Sequence, residues 1–203
     1  MLNGRDPAKA SAGLDHSTDT DLLARAATQD AAAFAALVDR HFHVVHRVVW
    51  RMMNGHADAE DVAQEAFLRL WRNPSQVREA GALRGWLIRV ASNLVMDRFR
   101  AKPMQDIDAG LEVADTRSSA EETLDRGRAV AAIDAAVAQL PERQKLALTL
   151  VHFEQMTNIA AAAIMEVSVE ALESLLARAR RSLKERLAAD KTMLLATLAT
   201  ERT

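Results

Sequence analysis

Cysteine is absent from the 203 residues, which excludes disulfides and thiolate-held metals and suits a reducing compartment. Glycine and proline are sparse, at 7 and 4. Aromatic side chains make up only 4%, while Ala and Leu dominate and long stretches lack strand-like alternation. Those scarcities point to an all-α protein. No apolar run approaches the roughly 20 residues needed to cross a bilayer. The opening "MLNGRDPAKASAGLDHSTD" lacks the apolar core of a signal peptide, so a soluble, cytoplasmic chain with a flexible tail over 1–18 is expected. Charge of one sign is not in excess either. A formal net charge of −2 argues against a generic polyanion binder, although the average hides two basic segments and one acidic one. There is no glycine-rich phosphate loop, no GxSxG-type nucleophile motif and no cleft-like pair of acids, so nothing suggests an enzyme. His41, His43 and His46 are the one metal-like cluster. Steps of two and three do not aim three rings at one point, so no metal and no other cofactor is expected.

What is present is helical periodicity. Asp19 or Asp21 is expected to cap a short helix, "LLARAATQ". Asp30 caps "AAAFAALVDRHFHVVHRVVWRMM", which Asn54–Gly55 ends. A third helix, about 58–73, carries Ala59, Val62, Ala63, Ala66, Phe67, Leu70 and Trp71 at three- and four-residue steps. A fourth, about 82–101, repeats the stripe with Leu83, Trp86, Leu87, Val90, Ala91, Leu94 and Val95. Residues 102–118 are acidic, contain Pro and Gly, and read as a linker. Ser118 with Glu121, or Ser119 with Glu122, makes a capping box that restarts a helix running to about Gln139. Pro141 opens "PERQKLALTLVHFEQ" as its first residue, and "NIAAAAIM" and "VSVEALESLLARARRSLKERL" follow. The expected organisation is two small helical domains, at 19–101 and 119–190. Neither is large enough to be very stable alone. The closing segment, 191–203, reads either as extra helix or as a contact for a partner.

Three helices carry candidate surfaces. On the third, Asp58, Glu60, Asp61, Gln64 and Glu65 crowd the first half, and Asp61, Glu65, Leu68 and Arg72 share a side. Acids near a helix start are favoured by about 0.3–1 kcal/mol each through the macrodipole. The alternative is a protein-docking face centred on Leu68. On the fourth, Arg89, Asn93, Met96 and Arg100 lie opposite the apolar stripe, with Ser92 and Arg98 nearby. That face is either solvated or suited to phosphates and unstacked bases. The last two helices, joined by a turn at Glu166–Val167–Ser168, fit helix-turn-helix geometry. Ala161 and Ala162 allow close packing, Ile164, Val167, Leu172 and Leu176 fill the angle, and Ser168 caps the second helix. That helix turns basic toward its end, with Arg178, Arg180, Arg181, Lys184 and Arg186. An ordinary bundle helix with a solvated basic face would have the same spacing.

Together these stretches resemble the sigma-70 superfamily, in particular its extracytoplasmic-function (ECF, group IV) type with two sigma domains. "DAEDVAQEAFLRLWR" (58–72) is similar to the core-polymerase docking helix. "LRGWLIRVASNLVMDRFR" (83–100) is similar to the helix that melts the promoter and holds the −10 element. "LPERQKLALTL" with "SVEALESLLARARRSLKERL" (140–187) is similar to the domain that reads the −35 element, and "AFAALVDRHF" (33–42) fits the opening helix. The resemblance covers nearly everything from Asp19 to Leu187 in the expected order. It implies a four-helix sigma domain 2 and a helix-turn-helix sigma domain 4 in a promoter-specificity subunit, not a catalyst. The implied partners are bacterial core RNA polymerase, promoter DNA and an anti-sigma factor. The implied polymerase contacts are Asp61, Gln64, Glu65, Leu68 and Arg72, with Trp71 supporting the helix from behind. The implied −10 contacts are Arg89, Ser92, Asn93, Met96, Arg98 and Arg100, with Trp86 in a packing role. The implied −35 contacts are Ser168, Ala171, Ser174, Arg178 and Arg181.

The sequence departs from that family in the reading helix. Glu166 stands where a turn glycine is usual, and a left-handed backbone there costs about 1–2 kcal/mol without glycine. Glu173 and Leu175 replace common cations, and Glu170 and Glu173 repel phosphates, although a carboxylate accepts from a cytosine amino group. Weak isolated promoter binding is therefore expected, with polymerase supplying most of the affinity. The competing reading is a sigma-like decoy that sequesters an anti-sigma factor without reading DNA. A plain helix-turn-helix repressor would leave the docking helix unexplained.

Overall fold

The computed structural model describes residues 17–77, 80–101 and 131–200, with 189–200 as helical backbone alone. The acidic linker, both candidate capping boxes at Ser118 and Ser119, and residues 1–16 lie outside the described residues. All regular structure among the described residues is helical, with no strand. The chain divides into two compact units, Met1–Gln105 and Asp106–Thr203.

The first unit holds α1 (Asp19–Ala27), α2 (Ala31–Met52), α3 (Ala59–Arg72), two 3-10 turns (Pro74–Gln76 and Ala80–Ala82) and α4 (Leu83–Ala101). The cap of α1 is Thr18 and neither of the two expected aspartates. Its hydroxyl accepts from the Asp21 N–H at 3.2 Å, and the Asp21 carboxylate accepts from the Thr18 N–H at 3.1 Å. The bond to the Thr18 side chain, then that to its backbone, holds the Asp21 carboxyl below its ordinary pKa. Asp19 is left to stitch α1 to α2, through Arg40 at 3.0 Å and His41 at 2.7 Å. Asp30 caps α2 as expected, accepting from the N–H groups of Ala32 and Ala33. Beyond Met52 the chain reverses through Asn54 and Gly55 at φ 54° and 79°. A Cβ on Gly55 would meet the Trp50 indole at 3.4 Å.

Helices α2, α3 and α4 pack mutually, with α1 laid against α2. Leu37, Val45, Val48, Met52, Val62, Leu70, Leu83, Leu87 and Ile88 are the sealed centre. Truncating one of them to Ala costs about 2–5 kcal/mol. The apolar stripe of α4 is rotated from its expected position. Val90 and Leu94 are only half-buried, whereas Ile88 and Ser92 are buried. The buried arc of α4 thus takes in Ile88 and Ser92 beside the expected stripe.

In the second unit a helical segment at 131–138 (α5) precedes α6 (Glu142–Leu148), a π-helical turn (Thr149–Phe153), α7 (Asn158–Met165) and α8 (Val169–Thr200). Pro141 stands just before α6, where its carbonyl accepts from the Gln144 and Lys145 N–H groups, both at 2.9 Å. The expected unbroken helix through Gln155 widens at Thr149, and Gln155 itself sits at φ 55°. Val137, Leu140, Leu148 and Ala179 form a core cluster, with Phe153 and Leu183 packed against it. Lys145 is buried among them and donates to the Ala138 carbonyl at 2.8 Å. Burial pulls its pKa down to about 8, with Glu142 opposing. The Arg186 guanidinium reaches back from α8 to the Gln139 side chain. Residues 191–200 continue α8 as helix. No helix among the described residues is long and apolar enough to cross a membrane.

Candidate nucleic-acid and docking interfaces

Helix α3 buries Ala59, Val62, Ala63, Ala66, Phe67 and Leu70, which turns Asp61, Gln64, Leu68 and Arg72 outward. Leu68 is 45% exposed, an apolar side chain set among the polar residues of that face. Glu65 lies between Arg69 at 3.3 Å and Arg72 at 3.5 Å, and Gln64 donates to Glu60 at 3.1 Å. The face therefore runs from acidic at its start, through an exposed hydrophobe, to a pinned acid–arginine cluster. Trp71 is behind it, with its ring 4.8 Å from that of Phe34 on α2. This surface suits a helical protein partner carrying a cation toward Asp61 and an apolar contact at Leu68.

Helix α4 exposes Asn93, Arg98 and Arg100, with Arg89 and Met96 half-buried beside them. Ser92 does not belong to that face, because it is 1% exposed. Sequence spacing alone puts it one step from Asn93, and only the wider buried arc of α4 assigns it inward. Arg100 pairs with Asp97 at 3.5 Å, and Arg98 with Asp58 of α3 at 3.4 Å. Cations around an amide and a thioether can hold a phosphate backbone while an unstacked base meets the amide.

In the second unit, α7 and α8 meet through Ala161, Ala162, Ile164, Leu172 and Leu176, all buried. The joining turn is Glu166–Val167–Ser168, as the spacing predicts. Glu166 is left-handed, at φ 53° and ψ 48°. Val167 N–H donates to the Ala162 carbonyl at 3.1 Å and Glu166 N–H to that of Ala163 at 3.4 Å. This is the Schellman closure that glycine ordinarily serves. The Ser168 hydroxyl accepts from the Ala171 N–H at 3.2 Å and so caps α8. Ser168, Ala171, Ser174, Arg178 and Arg181 are all exposed along the helix.

The acids of that head have particular partners. Glu173 accepts from the Asn158 amide of α7 at 3.3 Å, so its carboxylate ties the two helices together across the turn. The pKa of Glu170 is lowered by its own backbone N–H, then by Ser168. A shallow groove beside the helix is lined by Arg143, Val167, Ala171, Ser174, Leu175 and Arg178. Arg143 escaped the sequence reading. It lies in α6, far along the chain from the reading helix, and only its place two residues after Pro141, in the first turn of a Pro-opened helix, hinted at exposure. The histidines do not converge on one point: His43 and His46 both meet the Phe42 ring. His41 takes Asp19, while the His46 ring stacks 5.8 Å from Phe42 and lies 5.8 Å from Trp50.

Comparison with known proteins matches these surfaces to two family models, Sigma-70 region 2 over residues 37–103 and Sigma-70, region 4 over 131–183. The RNA polymerase sigma-H factor of Pseudomonas aeruginosa is 28% identical over 185 residues, covering 86% of this chain and 96% of that protein. The ECF RNA polymerase sigma factor BldN of Streptomyces coelicolor is 30% identical over 182 residues, covering 86% and 68%. The fold is shared with the sigma factor RpoE of Bartonella quintana, solved in complex with the anti-sigma factor NepR. The TM-score is 0.61 at 18% identity, over 77% of this chain and 98% of that one.

Proposed function

The chain belongs to the ECF RNA polymerase sigma factors, and from that premise we propose how its surfaces divide the work of promoter-specific initiation. Asp61, Gln64, Glu65, Leu68 and Arg72 on α3 dock on core RNA polymerase. Leu68 is the apolar anchor, and Asp61 with Glu65 is the charge complement to a basic partner helix. Arg89, Asn93, Met96, Arg98 and Arg100 on α4 take up the separated −10 strand. Opening duplex costs on the order of 1.4 kcal/mol per base-pair step, which capture of extruded bases at roughly 1–3 kcal/mol each offsets. The −35 element is read by Ser168, Ala171, Ser174, Arg178 and Arg181 at the head of α8, with Arg143 at its flank for a phosphate. Nothing in these roles calls for catalysis; the chain supplies positioning and strand capture, and polymerase supplies the chemistry. Residues 19–101 and 119–190 act as the two functional domains, with 102–118 between them, in the cytoplasm where polymerase works. An anti-sigma factor that covers the α3 face holds the chain inactive, a reading supported by the shared fold with RpoE in its NepR complex.

The observation that carries the assignment is the conjunction in one unit of an acidic face around exposed Leu68 and a cationic face around Asn93. Run-off transcription with core polymerase on genomic promoter fragments tests it. Discrete transcripts that vanish in Arg89→Ala/Asn93→Ala, while polymerase binding persists, are the expected result. Polymerase binding without transcripts from the wild-type chain would point to a missing activator or to a second domain impaired by the glutamates at the head of α8. No polymerase binding would overturn the assignment and favour the anti-sigma decoy.

A further inference from the structure

Two aspartates stand at the position just before a helix in the first unit, and they behave differently. Asp30 caps α2 through two N–H groups. Asp58 occupies the same position before α3 but has helical backbone angles, φ −65° and ψ −3°, and makes no capping bond. Its own N–H donates to His56 Nδ1 at 3.2 Å, which fixes the turn. Its carboxylate points across to Arg98 on α4, 3.4 Å away and 40 residues on. An aspartate at a helix start that leaves the helix uncapped gives up a favourable interaction. Here that carboxylate sets the position of a cation on the nucleic-acid face.

We propose that Asp58 is a brake on Arg98: it occupies the guanidinium in the free protein and yields it when α3 docks on polymerase. The proposal rests on the reading of α3 and α4 given above. The pair is 45% and 42% exposed, and exposed pairs bias an equilibrium by no more than about fivefold. That is the scale of a reversible latch, since a DNA phosphate can displace the carboxylate once something else engages it. The docking face starts at Asp61, less than one helical turn from Asp58, so a polymerase cation arriving there draws on both acids. By linkage, DNA that takes Arg98 from Asp58 leaves that carboxylate to the docking cation and strengthens docking by the same factor. Asp58 is thus a positioning residue that couples the two interfaces of one unit.

The test is fluorescence anisotropy with a labelled single-stranded oligonucleotide carrying the −10 element of a promoter found by run-off transcription. Free protein and the complex with polymerase are measured side by side. Asp58→Asn should tighten binding by the free protein two- to fivefold, and steepen the log–log salt dependence by about 0.7, one added phosphate contact. In the polymerase complex the same substitution should change affinity less than twofold. Asp58→Asn/Arg98→Ala should bind no better than Arg98→Ala alone, and Asp58→Glu, which keeps the charge, should not reproduce the gain. A gain that survives Arg98→Ala, an equal gain from Asp58→Glu, or no gain in the free protein overturns the proposal. Arg98→Ala weakening the free protein more than the polymerase complex also overturns it. Failure of the wild-type polymerase complex to hold the oligonucleotide sinks the underlying reading instead, and is distinguishable because every variant then fails alike.

Discussion

Replacing Glu166 by glycine should stabilise the second unit. The residue holds φ 53° and ψ 48° as the closing position of α7, where a side chain crowds the following carbonyl and costs about 1–2 kcal/mol. Glycine removes that strain but brings a more flexible unfolded chain, a loss of roughly 0.5–1 kcal/mol. At mid-range values the net expectation is a gain of about 0.75 kcal/mol. In a domain of this size 1 kcal/mol moves the midpoint by about 4–8 °C, so a rise of about 3–6 °C should be seen. Thermal unfolding of the full chain followed by circular dichroism measures it. Glu166→Ala separates strain from charge, because alanine keeps the left-handed penalty and loses only the carboxylate. Equal rises for Gly and Ala, or a glycine variant no more stable than wild type, would refute the strain argument. Affinity for the −35 element should stay within twofold, because the Val167 and Glu166 N–H bonds already fix the turn.

Lys145 makes stability depend on pH. Its folded pKa near 8 lies below the ordinary 10.5, so between those values the unfolded state binds more protons and stability rises with pH. Urea midpoints from pH 7 to 10 should climb for wild type and stay flat for Lys145→Met; a flat wild-type profile contradicts the burial argument. Glu173→Gln keeps an acceptor for Asn158 and removes a charge from the reading head, so −35 binding should strengthen about two- to fivefold with no loss of stability. Glu173→Ala should strengthen binding less, because it also releases α7; gel-shift titrations of both variants decide. Leu68→Glu should lower polymerase binding at least tenfold in a pull-down, with stability changed by no more than about 0.5 kcal/mol because the site is exposed.

Where a helix begins was legible when the capping residue stood alone before an apolar stripe, as at Asp30 and Ser168. It was obscured at Thr18, where two neighbouring aspartates look like better caps and the box is closed by Asp21 in place of the usual Glu or Gln. The face of α3 was legible because its apolar residues nearly coincide with its buried arc. On α4 the buried arc also takes in Ile88 and Ser92, the latter a hydroxyl that hydrophobic patterning assigns outward. The π-helical turn at Thr149 and the left-handed Gln155 left no trace, because neither residue type marks such geometry. Arg143 joins the reading helix only through tertiary packing of α6 on α8, which no local pattern encodes.

Helix α8 is continuous from Val169 to Thr200, 32 residues, or about 48 Å at 1.5 Å per residue. The reading head and the far end of the chain are therefore two ends of one rod. A rigid helical fusion joined in phase at Thr200 would inherit a fixed bearing to Ser174, turning the orientation of the head into something a distant fluorophore can report.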